Sequence, residues 1–300
     1  AIHPIDDNNS PDYDYEYTEI NNPTFSGDRD IYFPLMFNDV NRNDALIFTA
    51  YDDAENVYAV TKNAPVGGFA NGKYYYGSAA LAWHHNMRPT VTGTTAVPSS
   101  GKYTIVDNPV NISINGYSED YYLEISEGHG GTIALNNVTA THGDNYFITQ
   151  ENVNPAGDIS LVLTGTNTIS CNDDRGILVY GNLKLSCTGG IATLAVTVTS
   201  SSSFGLSATN YDGSDVSALA ADGYIVTCSD ATNNGDGTYT WTYTVHRVVS
   251  LSSAYAIYGN SQKYYAAENG DILTGNFGGA LGYVTIPDGA TVTLNGVAFK

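Results

Sequence analysis

From about residue 104 onward, short alternations of apolar and polar residues end repeatedly in an Asn or Gly turn. The first is Ile112-Ser113-Ile114-Asn115-Gly116. Ile133-Ala134-Leu135-Asn136-Asn137, Leu161-Val162-Leu163-Thr164-Gly165 and Leu178-Val179-Tyr180-Gly181-Asn182 follow, with starts 21, 28 and 17 residues apart. A late copy is Val292-Thr293-Leu294-Asn295-Gly296. Apolar residues two apart share one face of a strand, and repeats about twenty residues long predict solenoid coils. A single coil cannot bury its inward face, whereas stacked coils join those faces into one core. Asn and Gly suit the corners because the backbone there needs positive φ. Stacked corners also make hydrogen-bonded Asn ladders possible.

The segment Ile286-Pro287-Asp288-Gly289 with Thr291 to Val297 repeats Ile125-Ser126-Glu127-Gly128 with Gly131 to Val138. A second β-helix is therefore expected over 250–300, after a first over 104–222. Between them, Tyr224 to Cys228, the turn Asn233-Asn234-Gly235-Asp236-Gly237 and Thr238 to Val245 predict a hairpin that caps or links at 223–249. Residues 23–103 read as an antiparallel, sandwich-like β-domain. Its strand candidates are Ile31 to Phe37, Ala45 to Tyr51, Val57 to Thr61, Tyr74 to Trp83 and Pro89 to Ala96, with a hairpin turn at Asn71-Gly72. Residues 1–22 are acidic and Tyr-rich. There Asp12-Tyr13-Asp14-Tyr15-Glu16-Tyr17 fits an edge strand or a tether equally well.

Charge narrows the partners. Among 300 residues, 31 Asp and Glu face 11 Lys and Arg, a formal net charge of -20. Such a surface repels phosphate backbones and anionic membranes. Nucleic acid is not expected as a partner, whereas neutral carbohydrate, Ca²⁺ or another surface protein is. The 24 Tyr suit half-exposed strands and binding surfaces. Cys171, Cys187 and Cys228 fit no zinc spacing; they read as small buried residues, with Cys171–Cys187 as a candidate bridge. No run is long enough for a membrane-spanning helix. The chain starts at Ala without a leader, as a processed product would, and is expected to continue past Lys300.

Several segments together resemble surface proteins of Bacteroides-type gut bacteria that join a fimbrillin-like β-domain to a β-helix. They are Asn71-Gly72-Lys73-Tyr74-Tyr75-Tyr76-Gly77 with Ala82-Trp83, Leu163-Thr164-Gly165-Thr166-Asn167-Thr168-Ile169, Gly235 to Tyr243, and Ile286 to Val297. The middle portion is similar to carbohydrate-binding β-helix modules. The resemblance implies an all-β chain, with an antiparallel β-sandwich-like domain followed by a right-handed single-stranded parallel β-helix. It also implies export by a signal peptide to the outer-membrane cell surface.

Catalytic sets are thin. A polysaccharide lyase needs a strong base and cations, yet only Arg175 and Lys184 are basic between residues 104 and 245. A hydrolase needs two carboxyls, for which Asp173-Asp174 beside Arg175 is the best local pair. Gly128-His129-Gly130 imitates a polygalacturonase element, but with the order of the motifs reversed. Asp230 to Asp236 imitates the start of a calcium loop but lacks its closing Glu, and a hairpin turn explains it better. Asp52, Asp53 and Glu55 form a candidate metal cluster. His84 and His85, adjacent in a strand, should face opposite ways. For sugar binding, Tyr121, Tyr122 and Tyr180 are candidate platforms, with Asp173, Asp174 and Arg175 as hydroxyl partners and Tyr264-Tyr265 as a further platform. The expectation is a non-catalytic surface adhesin that binds carbohydrate. A fimbria-like protein-binding subunit and a polysaccharide lyase or hydrolase are the alternatives.

Overall fold

The computed structural model describes residues 2–4, 45–52, 54–64, 80–94, 101–143, 146–201, 204–258, 262–277 and 282–298. Two compact units divide at Met87 and Arg88. The chain is all-β, with an N-terminal antiparallel sheet and a parallel solenoid of about eight turns. Among the described residues, no helix is long and apolar enough to cross a membrane.

The first unit holds a four-stranded antiparallel sheet in the order Ile2–Pro4, Ala45–Tyr51, Asn56–Asn63, Ala82–Asn86. Apolar and β-branched residues make these strands, and Leu46 and Val57 are buried. Between the two middle strands Glu55 N donates to Asp52 O at 3.0 Å, with Glu55 at φ 62°. Residues Ile31 to Phe37, Asn71-Gly72 and Asp12 to Tyr17 lie outside the described residues.

The second unit winds as a three-faced coil. Face one stacks Lys102–Ile105, Tyr122–Ile125, Ile148–Gln150, Arg175–Leu178 and Gly205–Ser207, all parallel. Faces two and three start as single long strands, Val110–Glu119 and Gly131–His142, that bend at Gly116 (φ 83°) and Asn137 (φ 51°). Later turns split into Ile159–Thr164 and Thr166–Cys171, then Leu183–Cys187 and Ile191–Val198. The corner therefore falls where the Asn/Gly endings place it. At Gly165 the φ of 65° favours glycine, and a Cβ there would also push aside the Asn137 amide.

Inward columns run through every turn. Ile112 stacks on Ile133, Leu161 and Leu185, and Tyr103 on Leu123, Ile148, Ile177 and Leu206. All are buried in one core. Leu178 is not the fourth member of the first column. It belongs to face one, opposite Thr149, and Leu185 takes its expected place, 24 residues after Leu161. Both segments offer apolar residues at period two before a glycine. Period two alone cannot say which face of a coil a strand builds.

Among the described residues, Asn115 and Asn136 stack as register partners, but their amides bond to Ser113 and not to each other. Asn136 Nδ2 donates to Ser113 Oγ at 2.7 Å. Buried Asn167 pegs neighbouring turns by their backbones. Its Oδ1 accepts from Val138 N at 2.9 Å, and its Nδ2 donates to Thr164 O at 3.2 Å and Thr193 O at 3.4 Å. The bend after Asn137 shifts the register. That frees backbone groups, which a buried amide must satisfy.

At the corner between faces one and two, successive turns touch through glycines. A Cβ on Gly157 would overlap the backbone nitrogen of Gly130. Beside them lies Gln150, buried at the end of its strand. Its Nε2 donates to Gly128 O, His129 O and Gly157 O at 3.2, 2.9 and 2.8 Å. Its Oε1 accepts from Tyr180 N and Gly181 N at 2.8 and 3.0 Å.

The predicted hairpin forms, since Tyr224–Cys228 pairs antiparallel with Tyr239–Ser250. The latter strand lies antiparallel against Ile191–Val198 through Tyr239 to His246. Its last residues, Val248 to Ser250, pair in parallel with Ile272–Thr274, which in turn pairs with Thr293–Asn295. The second stack thus begins on the strand that ends the first. Arg247 and Asp271 fix the junction. Arg247 Nε meets Asp271 Oδ1 at 2.9 Å and its Nη2 meets Oδ2 at 3.1 Å, while Tyr265 OH and Glu268 N also donate to Oδ2 at 3.0 and 2.8 Å.

All three cysteines are free thiols. Cys171 closes a strand on face three and Cys187 one on face two, so the candidate bridge does not form: the two residues end different walls of the coil. Burial pushes both thiols up to about 11, and only thiolate is nucleophilic. In the native protein near neutral pH, iodoacetamide is expected to leave Cys171 and Cys187 unmodified until the chain unfolds, with the less buried Cys228 labelled first. Peptide mass mapping reads this directly, and rapid native labelling of Cys171 would contradict the buried placement.

Candidate binding edge

The corner that returns face three to face one stacks its turns along one edge. Asp120 N donates to Thr141 O at 2.9 Å, Asn172 N to His142 O at 3.2 Å, and Thr199 N to Asp173 O at 3.0 Å. Five of the six candidate ligand residues lie here: Tyr121, Tyr122, Asp173, Asp174 and Arg175. Tyr121 turns toward the core, 6.0 Å from the Tyr103 ring, and the Arg88 guanidinium lies 5.5 Å from its centroid. Tyr122 alternates outward, because Leu123 and Ile125 face in. Its ring meets His142 edge-on at 5.4 Å. Beside it, Lys102 Nζ pairs with Glu124 Oε1 at 3.0 Å.

Further along the edge, Arg175 Nη2 reaches Asp174 Oδ2 at 3.5 Å. The Asp174 backbone N–H donates to Asp173 Oδ1. Burial, together with a hydrogen bond to the Asp173 carboxyl, raises the Asp174 carboxyl above its ordinary value. It therefore keeps its proton to a higher pH than a free Asp. Tyr146, which sequence reasoning passed over, completes the group. Its phenol is raised first by burial and then by the charges of Asp173 and Asp174, while Arg175 pulls the other way. The only hint in the sequence is its position just before the buried Phe147-Ile148 pair. The edge can stack flat rings on Tyr122 and offer donors and acceptors from Arg175, Asp173 and Asp174.

Tyr180 does not join them. It sits at the next corner, where Gln150 holds its N–H and Thr209 Oγ1 donates to its carbonyl at 2.6 Å. Tyr265 faces inward to Asp271, while Tyr264 stacks on Tyr283 with centroids 5.8 Å apart and rings 17° from parallel.

Asp52 spends both carboxylate oxygens within its own turn. Oδ1 accepts from Ala54 N and Asn56 N, each at 2.9 Å, and Oδ2 from Asn56 Nδ2 at 2.9 Å and Tyr58 OH at 3.2 Å. These bonds, led by the Asn56 side chain, hold the carboxyl below its usual value. Glu55 accepts Met87 N through its backbone, and Asp53 lies outside the described residues. Among the described residues, no group of three or more His, Cys, Asp or Glu could hold a metal ion. The Asp236 carboxylate likewise caps its own hairpin turn, accepting from Thr238 N and Oγ1.

His84 and His85 do not face opposite ways. Their rings meet edge-on, 4.8 Å apart, with the two Nδ1 atoms in contact. An irregularity in the pairing with Val57 and Tyr58 breaks the alternation. The Gly128-His129-Gly130 segment offers its carbonyls to Gln150, so the structure uses it as a corner. Trp83, on the last strand of the N-terminal sheet among the described residues, is 61% exposed. No protein-family model, curated protein or solved structure matches this chain.

Proposed function

We propose that this chain is a non-catalytic cell-surface binding protein that takes neutral carbohydrate on the solenoid edge at Tyr122, Tyr146, Asp173, Asp174 and Arg175. The observation that carries this reading is a shared edge: the outward Tyr122 ring lies two turns from the Asp174–Arg175 pair, with Tyr146 on the turn between them. Export to an outer-membrane surface follows from the resemblance to Bacteroides-type proteins with fimbrillin-like and β-helix parts. A net charge of -20 disfavours acidic glycans and nucleic acid.

Binding without cleavage is favoured by the acid pair itself. A glycosidase sets its two carboxyls to flank the scissile bond. Asp173 and Asp174 are instead chain neighbours, with Asp173 Oδ1 taken up by the Asp174 backbone N–H and Asp174 Oδ2 lying 3.5 Å from Arg175 Nη2. Calorimetry with neutral plant and mucin glycans, with and without Ca²⁺, tests the proposal. Arg175→Ala and Tyr122→Ala should each weaken binding about tenfold or more, a loss of roughly 1.4 kcal/mol. Absence of binding to every neutral glycan, or reducing ends released from one, would sink it.

A further inference from the structure

Trp83 presents an exposed ring that the structure nevertheless holds in place. Its Nε1–H donates to Asn56 Oδ1 at 3.2 Å. Asn56 Nδ2 is fixed in turn by both Asp52 oxygens, at 3.2 and 2.9 Å. Asn86 Nδ2 donates to Ala54 O at 3.0 Å and lies 3.4 Å from Asn56 Oδ1. On the adjacent strand, Tyr58 is the register partner of Trp83 and donates its hydroxyl to Asp52 Oδ2 at 3.2 Å. Three polar side chains therefore orient an indole that is 61% exposed.

Burying such a ring would favour folding, so its orientation in water calls for another reason. Pre-ordering a ring lowers the entropy lost when a ligand is bound. The flat apolar face suits the C–H face of a pyranose, and the network of Asn56, Asn86 and Asp52, engaged with one another, fixes the plane of that ring. The Asp52 carboxylate repels sulfated, phosphorylated and uronic sugars.

We infer that Trp83, with Asn56, Asn86 and Asp52, forms a second neutral-sugar subsite, separate from the solenoid edge. This rests on the carbohydrate reading above. Two tryptophans make it directly readable, since Trp241 is only 8% exposed. In the full chain, acrylamide quenching therefore reports mainly on Trp83.

The test titrates neutral gluco-, xylo- and manno-oligosaccharides while following tryptophan emission and quenching, with calorimetry alongside. Saturable protection of Trp83 is expected with at least one of them. Trp83→Ala should abolish the emission change and weaken that sugar about tenfold, with an unchanged circular dichroism spectrum. Trp83→Phe, which keeps a ring but loses the indole N–H, should fall between. A sugar that binds while Trp83 stays fully quenchable would overturn the inference. So would binding lost in Arg175→Ala but intact in Trp83→Ala, which would leave the solenoid edge standing. If no sugar binds the wild-type chain, both readings fail together.

Discussion

Asp271→Ala is expected to cost about 3–5 kcal/mol of stability, the usual loss when one member of a buried ion pair is removed. Asp271 is fully buried and accepts from Arg247 through both carboxylate oxygens. Its removal also takes the acceptor from the Glu268 N–H and leaves the Tyr265 hydroxyl bonded only to Arg247 Nη2. Glu268 cannot substitute. Its carboxylate reaches Arg247 Nη2 at 3.2 Å but is half exposed, and water and salt screen such a contact. The melting temperature should fall by roughly 10 °C. Urea unfolding at constant slope gives the free energy directly. Replacing the pair together, Arg247→Met with Asp271→Leu, should recover much of the loss, because two matched apolar groups need no partner. A single-variant cost under about 1 kcal/mol would mean that solvent already reaches the pair.

Gln150→Leu should be comparably damaging, at about 4 kcal/mol or more. Leucine fills similar space but leaves three carbonyls and two N–H groups without the amide that joins them. Each stranded group costs about 1–3 kcal/mol. Gln150→Glu should not rescue, because a carboxylate would turn oxygen toward three carbonyl oxygens. Hydrogen exchange at the Tyr180 and Gly181 amides should rise in both variants, well before global unfolding. Unchanged protection of those two amides would show that another group holds the corner.

Both sites were invisible in the sequence for the same reason. Arg247 and Asp271 are 24 residues apart, and most of the partners of Gln150 are backbone atoms. Nothing in a linear pattern marks such meetings. The alternation at Ile112, Ile133 and Leu161 was legible because inward packing forces period two, and the turn residues Gly116, Asn137 and Gly165 marked real corners. Leu178 misled because the coil lengthens between corners, and period two carries no memory of which wall it is on. That Tyr122 and the Asp173–Arg175 segment end on one edge of the coil, two turns apart, could not be read from the sequence, since turn length decides which corner a residue reaches. Tyr180 shows the cost of that ignorance. His84 and His85 failed at a single irregularity, which shifts one residue and turns two rings together.

Tyr239–Ser250 has a mechanical meaning beyond its pairing. A stack of repeats ordinarily frays from its ends, turn by turn, because each repeat touches only its neighbours. Here the closing wall of one column and the founding wall of the next are a single uninterrupted piece of chain. Neither column has a free inner end from which to peel. Loss of order in one must pull on the other through that shared beam, so the two columns should melt as one cooperative body and not as independent springs.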